Sequence, residues 1–234
     1  MAESTDQAIA VRFAGVKHSR TFSRLVDTFS LGSKKVLDLG CSFGEHLVCF
    51  GKDSLGLTTT VEEVAYGKAH GIRIIQGNVE LVDDVVGDEQ FDVIWANNLF
   101  EHLISPHSFL IRMKKVSNEG NMLIMGVDVL PSFLFLTRWQ KFRGALAKAH
   151  VSFYTMETAR LTIEAAGWKV EEMRPFFLPI AFLDRLLALL APHVYVIAKN
   201  DSTFRYHEKK RKEWVDDPLY DHLFAVTEGR STHP

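Results

Sequence analysis

The stretch Val36-Leu37-Asp38-Leu39-Gly40-Cys41-Ser42-Phe43-Gly44-Glu45-His46-Leu47 decides how the rest of the chain is read. Val36, Leu37 and Leu39 form the short apolar run of a buried strand, with Asp38 near its end. Gly40, Ser42 and Gly44 then alternate, ahead of residues that suit the start of a helix. A strand, a small-residue turn and a helix bring bare backbone close to a ligand. Glycine has no Cβ to obstruct approach, and the first N–H groups of a helix have no intrahelical partner.

Strand and helix signals alternate on the C-terminal side of this stretch. Residues 54–59 are apolar and β-branched, and Thr60-Val61-Glu62-Glu63 has the spacing of a capping box for a helix that Gly71 closes. Residues 72–76 and 91–96 predict the third and fourth strands. Ser105-Pro106 opens a helix with Phe109, Leu110, Met113 and Val116 on one face, and residues 121–129 predict a fifth strand. Residues 132–149, rich in Phe, Leu, Trp and basic side chains, read as a helical insertion. Thr155 caps a further helix, followed by a strand at 168–175, a helix at 182–190 and a strand at 193–198. Upstream, residues 1–10 read as frayed, and Phe22, Leu25, Val26 and Phe29 mark one helix face.

The pattern predicts an α/β fold, a doubly wound, mostly parallel seven-stranded sheet with helices on both faces and ligands at the carboxyl ends of the strands. Three sections follow: an N-terminal tail and helix (1–32), the α/β domain (33–200) and a charged C-terminal extension (201–234). In the extension, Trp214, Leu219, Tyr220, Leu223 and Phe224 are apolar enough to dock a short helix.

Asp38-Leu39-Gly40-Cys41-Ser42-Phe43-Gly44 resembles the first motif of the class I S-adenosylmethionine-dependent methyltransferases, an acidic residue followed by Gly-x-Gly-x-Gly, with Ser42 in the middle place. Serine keeps close approach open and costs little unless that position needs a positive φ. A dinucleotide-binding protein is the nearest competitor. It wants Gly-x-Gly-x-x-Gly, a spacing that Gly40, Ser42 and Glu45 do not supply.

The resemblance implies S-adenosylmethionine as cofactor, a last strand running antiparallel between the fifth and sixth, and a set of site residues. Asp38, Gly40, Cys41, Ser42 and Gly44 would line the cofactor turn. The family's ribose-binding acid at the end of the second strand falls at Thr58, and its acid near the adenine amino group falls at Asn78, with Val79 offering backbone. Asn97-Asn98-Leu99-Phe100-Glu101-His102-Leu103 resembles the segment after the fourth strand of small-molecule methyltransferases. There Asn97 would meet cofactor and Asn98 substrate, while His102 is either a general base or a turn residue. His150 and Tyr154 are candidate substrate contacts, or the start of the next β-α unit. A non-catalytic binding module that kept the fold is the alternative, favoured by Thr58 and Ser42.

Phe133, Phe135, Trp139 and Phe142 suggest a lid over an apolar or aromatic acceptor, and Arg138, Lys141 and Arg143 beside them suit phosphate or peripheral membrane contact. No Asp/Asn-Pro-Pro-Tyr run occurs and neither cysteine follows a proline, which disfavours the nucleic-acid-base methyltransferases. At 234 residues, 47% hydrophobic and a net charge of −2, the composition gives no global attraction to nucleic acid. Only Cys41 and Cys49 occur, without a disulfide framework, and residues 1–7 are polar. A small-molecule substrate and a cytoplasmic setting are therefore expected. His102 and His107, five apart across Pro106, have the wrong spacing for one helical face, so no metal is expected.

Overall fold

The structure is a computed structural model that describes residues 2–214. Its strands are β1 (Val36–Leu39), β2 (Leu55–Thr58), β3 (Ile74–Gln76), β4 (Phe91–Asn97), β5 (Ser117–Asp128), β6 (Trp168–Arg174) and β7 (His193–Asn200). They form one sheet in the order β3-β2-β1-β4-β5-β7-β6. Pairing is parallel from β3 through β5, whereas β7 runs antiparallel to both β5 and β6. The sheet has the predicted seven strands, and the last strand in sequence lies where the resemblance placed it.

Side-chain alternation along the central strands separates two cores. Leu37, Leu39, Ile94, Ala96, Leu123 and Met125 face one side. They pack there against α5 (Pro106–Met113) and α6 (Met156–Ala165). Val36, Val93, Trp95 and Ile124 face the other side and pack against Phe22 and Leu25 of α2 (Arg20–Phe29). Both faces are covered, so the parallel strands read as continuous apolar runs rather than alternating ones.

Several local expectations are corrected. Residues 2–10 belong to a helix, α1 (Ala2–His18), instead of fraying. Long-range contacts hold it, with Arg12 paired to Glu45 and Phe13 against Tyr66. The glycine turn after β1 leads into irregular turns and a short 3-10 segment (Leu47–Cys49), not a full helix. Val48, Cys49 and Phe50 are weak helix formers. At Gly51 the chain passes so close to Lys34 that a Cβ would lie 2.5 Å from its carbonyl oxygen, so only glycine fits there.

Thr60 opens α3 (Val61–His70) without a side-chain cap; its N–H donates to Thr58 Oγ1, and the carboxylate of Glu63 bonds Ser42 and Thr58 instead of completing a capping box. The insertion folds as three short 3-10 turns (Leu134–Arg138, Gln140–Phe142 and Gly144–Leu146), anchored by buried Leu136 and Ala145, not as one α-helix. Thr155 does cap α6, in a reciprocal box with Thr158. The last element among the described residues is α8 (Glu208–Trp214). The other apolar residues noted in the extension, 219–224, lie outside the described residues. Among the described residues no helix is long and apolar enough to cross a membrane.

Candidate active site

The carboxyl ends of β1, β2, β4 and β5, with the amino end of β7, converge on one edge of the sheet. Strand register fixes the neighbours: Asp38 lies beside Gly56 and Trp95, Asn97 beside Gly126, and Asp128 opposite His193.

The turn after β1 alternates left-handed residues, with φ of +72° at Gly40, +50° at Ser42 and +88° at Gly44. The middle place thus does need a positive φ, and serine occupies it against its steric preference. A side-chain bond offsets part of that cost, since the Ser42 hydroxyl donates to Glu63 Oε1 at 3.1 Å. The other oxygen of the same carboxylate accepts the hydroxyl of Thr58. Glu63 therefore brings a carboxylate from α3 to the end of β2, where the sequence offers only a threonine. Sequence reasoning missed it because Thr60-x-x-Glu63 satisfies a local capping pattern.

Asp38 is 2% exposed, and its Oδ2 has no hydrogen-bond partner. Burial, with Glu45 nearby, pushes its carboxyl well above the usual carboxylate range. Glu45 is also buried and bonds Arg12 through Oε1 at 2.8 Å, while its Oε2 has no partner. Cys41 is a packing residue: its thiol is pushed up by burial and by Asp38, and a Cβ on Gly56 would lie 2.6 Å from its Sγ. Its backbone N–H, like that of Gly40, donates to the Leu57 carbonyl. Asn78 uses Oδ1 to accept the Glu80 N–H at 3.0 Å, and Val79 is buried.

At the end of β4, the side-chain oxygen of Asn97 is buried and unpartnered, whereas Asn98 is exposed with φ +51°. A 3-10 turn (Phe100–His102) follows. His102 is exposed and its Nδ1 donates to the Ala149 carbonyl at 3.2 Å. The ring of His150 stands edge-on to that of His102, with centroids 4.7 Å apart. Glu101, 1% exposed, completes this group, and ligand atoms from the three side chains lie within 4.8 Å of one another. The sequence argument weighed His102 against His107 alone, set that pair aside and expected no metal. His107 turns to the Tyr206 hydroxyl at 2.8 Å. Tyr154 is 6% exposed and stacks on Phe100, so its ring sits with the core. His193 bonds Asp128 at 2.9 Å on the adjoining strand pair.

Residues 13–173 match a family model described as a methyltransferase domain. The chain belongs to this methyltransferase family. Its fold is that of the class I S-adenosylmethionine-dependent methyltransferases, and its glycine turn resembles their first motif. Among curated relatives it is 26% identical over 113 residues to a ubiquinone biosynthesis O-methyltransferase of Bradyrhizobium diazoefficiens, and 23% identical to one of Rhodopseudomonas palustris. Each match covers 45% of this chain. The methyltransferase spans less than half of those relatives, 45% and 44% of their lengths.

Solved structures agree in fold. A Haloferax volcanii methyltransferase in complex with the activator Trm112 superposes with a TM-score of 0.59 at 16% identity, covering 86% of this chain and 97% of that one. An S-adenosylmethionine-dependent methyltransferase of Mesorhizobium loti gives 0.56 at 16% identity, covering 79% of this chain and all of that one.

The residues present fit the family's cofactor. S-adenosylmethionine carries a sulfonium and an ammonium group, and two buried carboxylates with an unpartnered oxygen each, Asp38 and Glu45, flank the glycine turn. It also carries two ribose hydroxyls, for which Glu63 offers a carboxylate beside Ser42 and Thr58.

Proposed function

We propose that this methyltransferase transfers the methyl group of S-adenosylmethionine to a hydroxyl oxygen, or second to a nitrogen, of an apolar or aromatic small molecule. The cofactor supplies the electrophilic methyl group. The protein supplies position, which in favourable intramolecular cases is worth about 7–11 kcal/mol.

The observation that carries the reading is the adjacency of two unlike regions on one sheet edge. Around the glycine turn, Asp38, Glu45 and Glu63 offer carboxylates that suit the cationic and hydroxyl groups of the cofactor. Gly40, Cys41, Ser42 and Gly44 offer close backbone, while Asn78, Val79 and Asn97 contact the adenine side and the cofactor's inner edge. Beyond β4, Asn98, His102, His150 and the rim near Tyr154 face the acceptor.

With Nδ1–H committed to a backbone carbonyl, neutral His102 presents a lone pair on Nε2 that can take the acceptor's proton. Exposed Phe135 and Trp139, 56% and 53% accessible, favour an apolar acceptor and permit contact with a membrane surface that carries one. The curated relatives are named O-methyltransferases, which favours oxygen over nitrogen. The non-catalytic alternative leaned on Ser42 and Thr58. Glu63, bonded to both, removes much of that support.

The test is calorimetric titration of S-adenosylmethionine, followed by transfer of labelled methyl to a panel of phenols, catechols and aromatic amines. Binding should vanish in Gly40→Val, and label should appear on a phenolic oxygen. His102→Ala should bind cofactor within a few fold of wild type and lose about 10²–10⁴ in turnover. Absence of cofactor binding at millimolar concentration would overturn the reading.

A further inference from the structure

We propose that Glu101, His102 and His150 bind a first-row divalent transition cation of the zinc type at the acceptor mouth. The proposal deepens the function above and rests on its placement of the acceptor beside His102.

The three side chains come from two segments, the turn after β4 and the end of the insertion, and ligand atoms from all three lie within 4.8 Å of one another. Backbone bonds hold the segments together, because the Glu101 carbonyl accepts the N–H groups of Val151 at 3.0 Å and Ser152 at 3.1 Å. The arrangement is thus tied down independently of any ligand.

Each imidazole has one ring nitrogen held by a backbone carbonyl. His102 Nδ1 meets the Ala149 carbonyl and His150 Nδ1 meets the Ala145 carbonyl, both at 3.2 Å. A carbonyl oxygen only accepts, so both Nδ1 atoms carry hydrogen and both neutral rings keep the Nε2 lone pair. Metal-bound histidines characteristically anchor their second nitrogen this way. The third member supplies the charge. Glu101 is 1% exposed, and neither carboxylate oxygen has a hydrogen-bond partner on another residue. A buried carboxylate whose ligand atom lies within 4.8 Å of those of two imidazoles, and which lacks a donor, is a ligand position that a cation satisfies.

Two nitrogens and one oxygen suit zinc and its first-row neighbours, not the oxygen-seeking magnesium or calcium. Three protein ligands leave a position open, as in catalytic zinc sites. That position would take a hydroxyl of the acceptor, and two adjacent hydroxyls would chelate. In the loaded protein His102 would serve as a ligand, and the cation would help the acceptor hydroxyl lose its proton to water; the O–CH3 bond would then form as the S–CH3 bond breaks, with the electron pair leaving on the sulfur of S-adenosylhomocysteine.

The test uses the full chain stripped of metal, titrated with Zn²⁺ by calorimetry and with Co²⁺ by visible absorption, alongside S-adenosylmethionine titration of the same samples. Wild type should bind one equivalent of Zn²⁺ and develop a cobalt ligand-field band. His150→Ala and Glu101→Gln should weaken Zn²⁺ binding by roughly 100-fold or more, since altering outer-shell partners alone costs about 10–100-fold. His70→Ala, remote from the group, should change nothing. Stoichiometric cofactor binding without Zn²⁺ binding, or Zn²⁺ binding indifferent to His150→Ala and Glu101→Gln, overturns the cation site and leaves the methyltransferase reading standing. Zn²⁺ binding lost in both variants, in a chain that binds no cofactor, supports the cation site and overturns the methyltransferase reading instead.

Discussion

Glu63→Gln is the substitution that bears most directly on how this chain holds a cofactor. An ionised carboxylate has about four acceptor positions. Two are used by Ser42 and Thr58, which leaves two for the paired hydroxyls of a ribose. Hydrogen bonds to a charged group are worth about 1.5–3 kcal/mol each. Glu63 is only half-buried, and the hydroxyls exchange water for it, so the net gain is set near one such bond. At about 1.4 kcal/mol per tenfold, the dissociation constant for S-adenosylmethionine should rise by roughly 10- to 100-fold.

Calorimetry on wild type and variant supplies the number, and an analogue lacking both ribose hydroxyls supplies the control. If Glu63 acts on those hydroxyls, removing them should cost wild type far more than it costs the variant. Urea unfolding guards against a trivial explanation. The weakened bonds to Ser42 and Thr58 should lower stability by only about 1–2 kcal/mol, leaving a cooperative transition. Affinity within twofold of wild type, or an equal penalty for the analogue in both proteins, would refute the argument.

Gly126→Ala should disturb the other half of the site, because a Cβ there would lie 2.1 Å from Asn97 Oδ1 and 2.9 Å from His193 Nε2. A loss of about 1–3 kcal/mol in urea unfolding is expected, together with weakened turnover; unchanged values would show that Asn97 moves freely. His46 gives a pH dependence. Burial and the Arg12 charge lower its pKa from 6.5 to about 4. Between those values the unfolded chain takes up a proton that the folded chain refuses, so stability falls with decreasing pH, by up to about 3 kcal/mol. Asp38, pushed upward, acts in the opposite sense as pH falls. The comparison is therefore between wild type and His46→Leu from pH 7 to pH 5. The variant should lose about 2 kcal/mol less than wild type, and equal losses would return the effect to other groups.

The sheet was legible because its signals are local and agree with one another. Val36-Leu37-Asp38-Leu39 and residues 91–96 are short buried runs, and Thr155 closes a capping box with Thr158. Around the glycine turn and in α1, the reading departed from the structure where a tertiary contact won over the local pattern. Glu63 abandons a local cap for Ser42 and Thr58. Residues 2–10 are helical within α1, which Arg12 fastens to buried Glu45. The insertion has enough Phe, Leu and Trp to pack, but no sustained period of apolar residues to favour an α-helix over short turns. The histidine pair was hidden because His102 and His150 meet only through the return of the chain along Glu101.

The antiparallel seventh strand predicts an order of assembly. Strands β1 through β4 and the glycine turn need only residues up to about the middle of the chain, so the cofactor cradle rests on comparatively local pairings. His193 reaches Asp128 only after β7 has slid between β5 and β6, a non-local step that pays its loop-closure entropy late. During synthesis, a nascent chain halted before β7 emerges would carry the turn and Glu63 but would lack the support beneath the histidine mouth. Capacity to hold the cofactor would then precede capacity to use it.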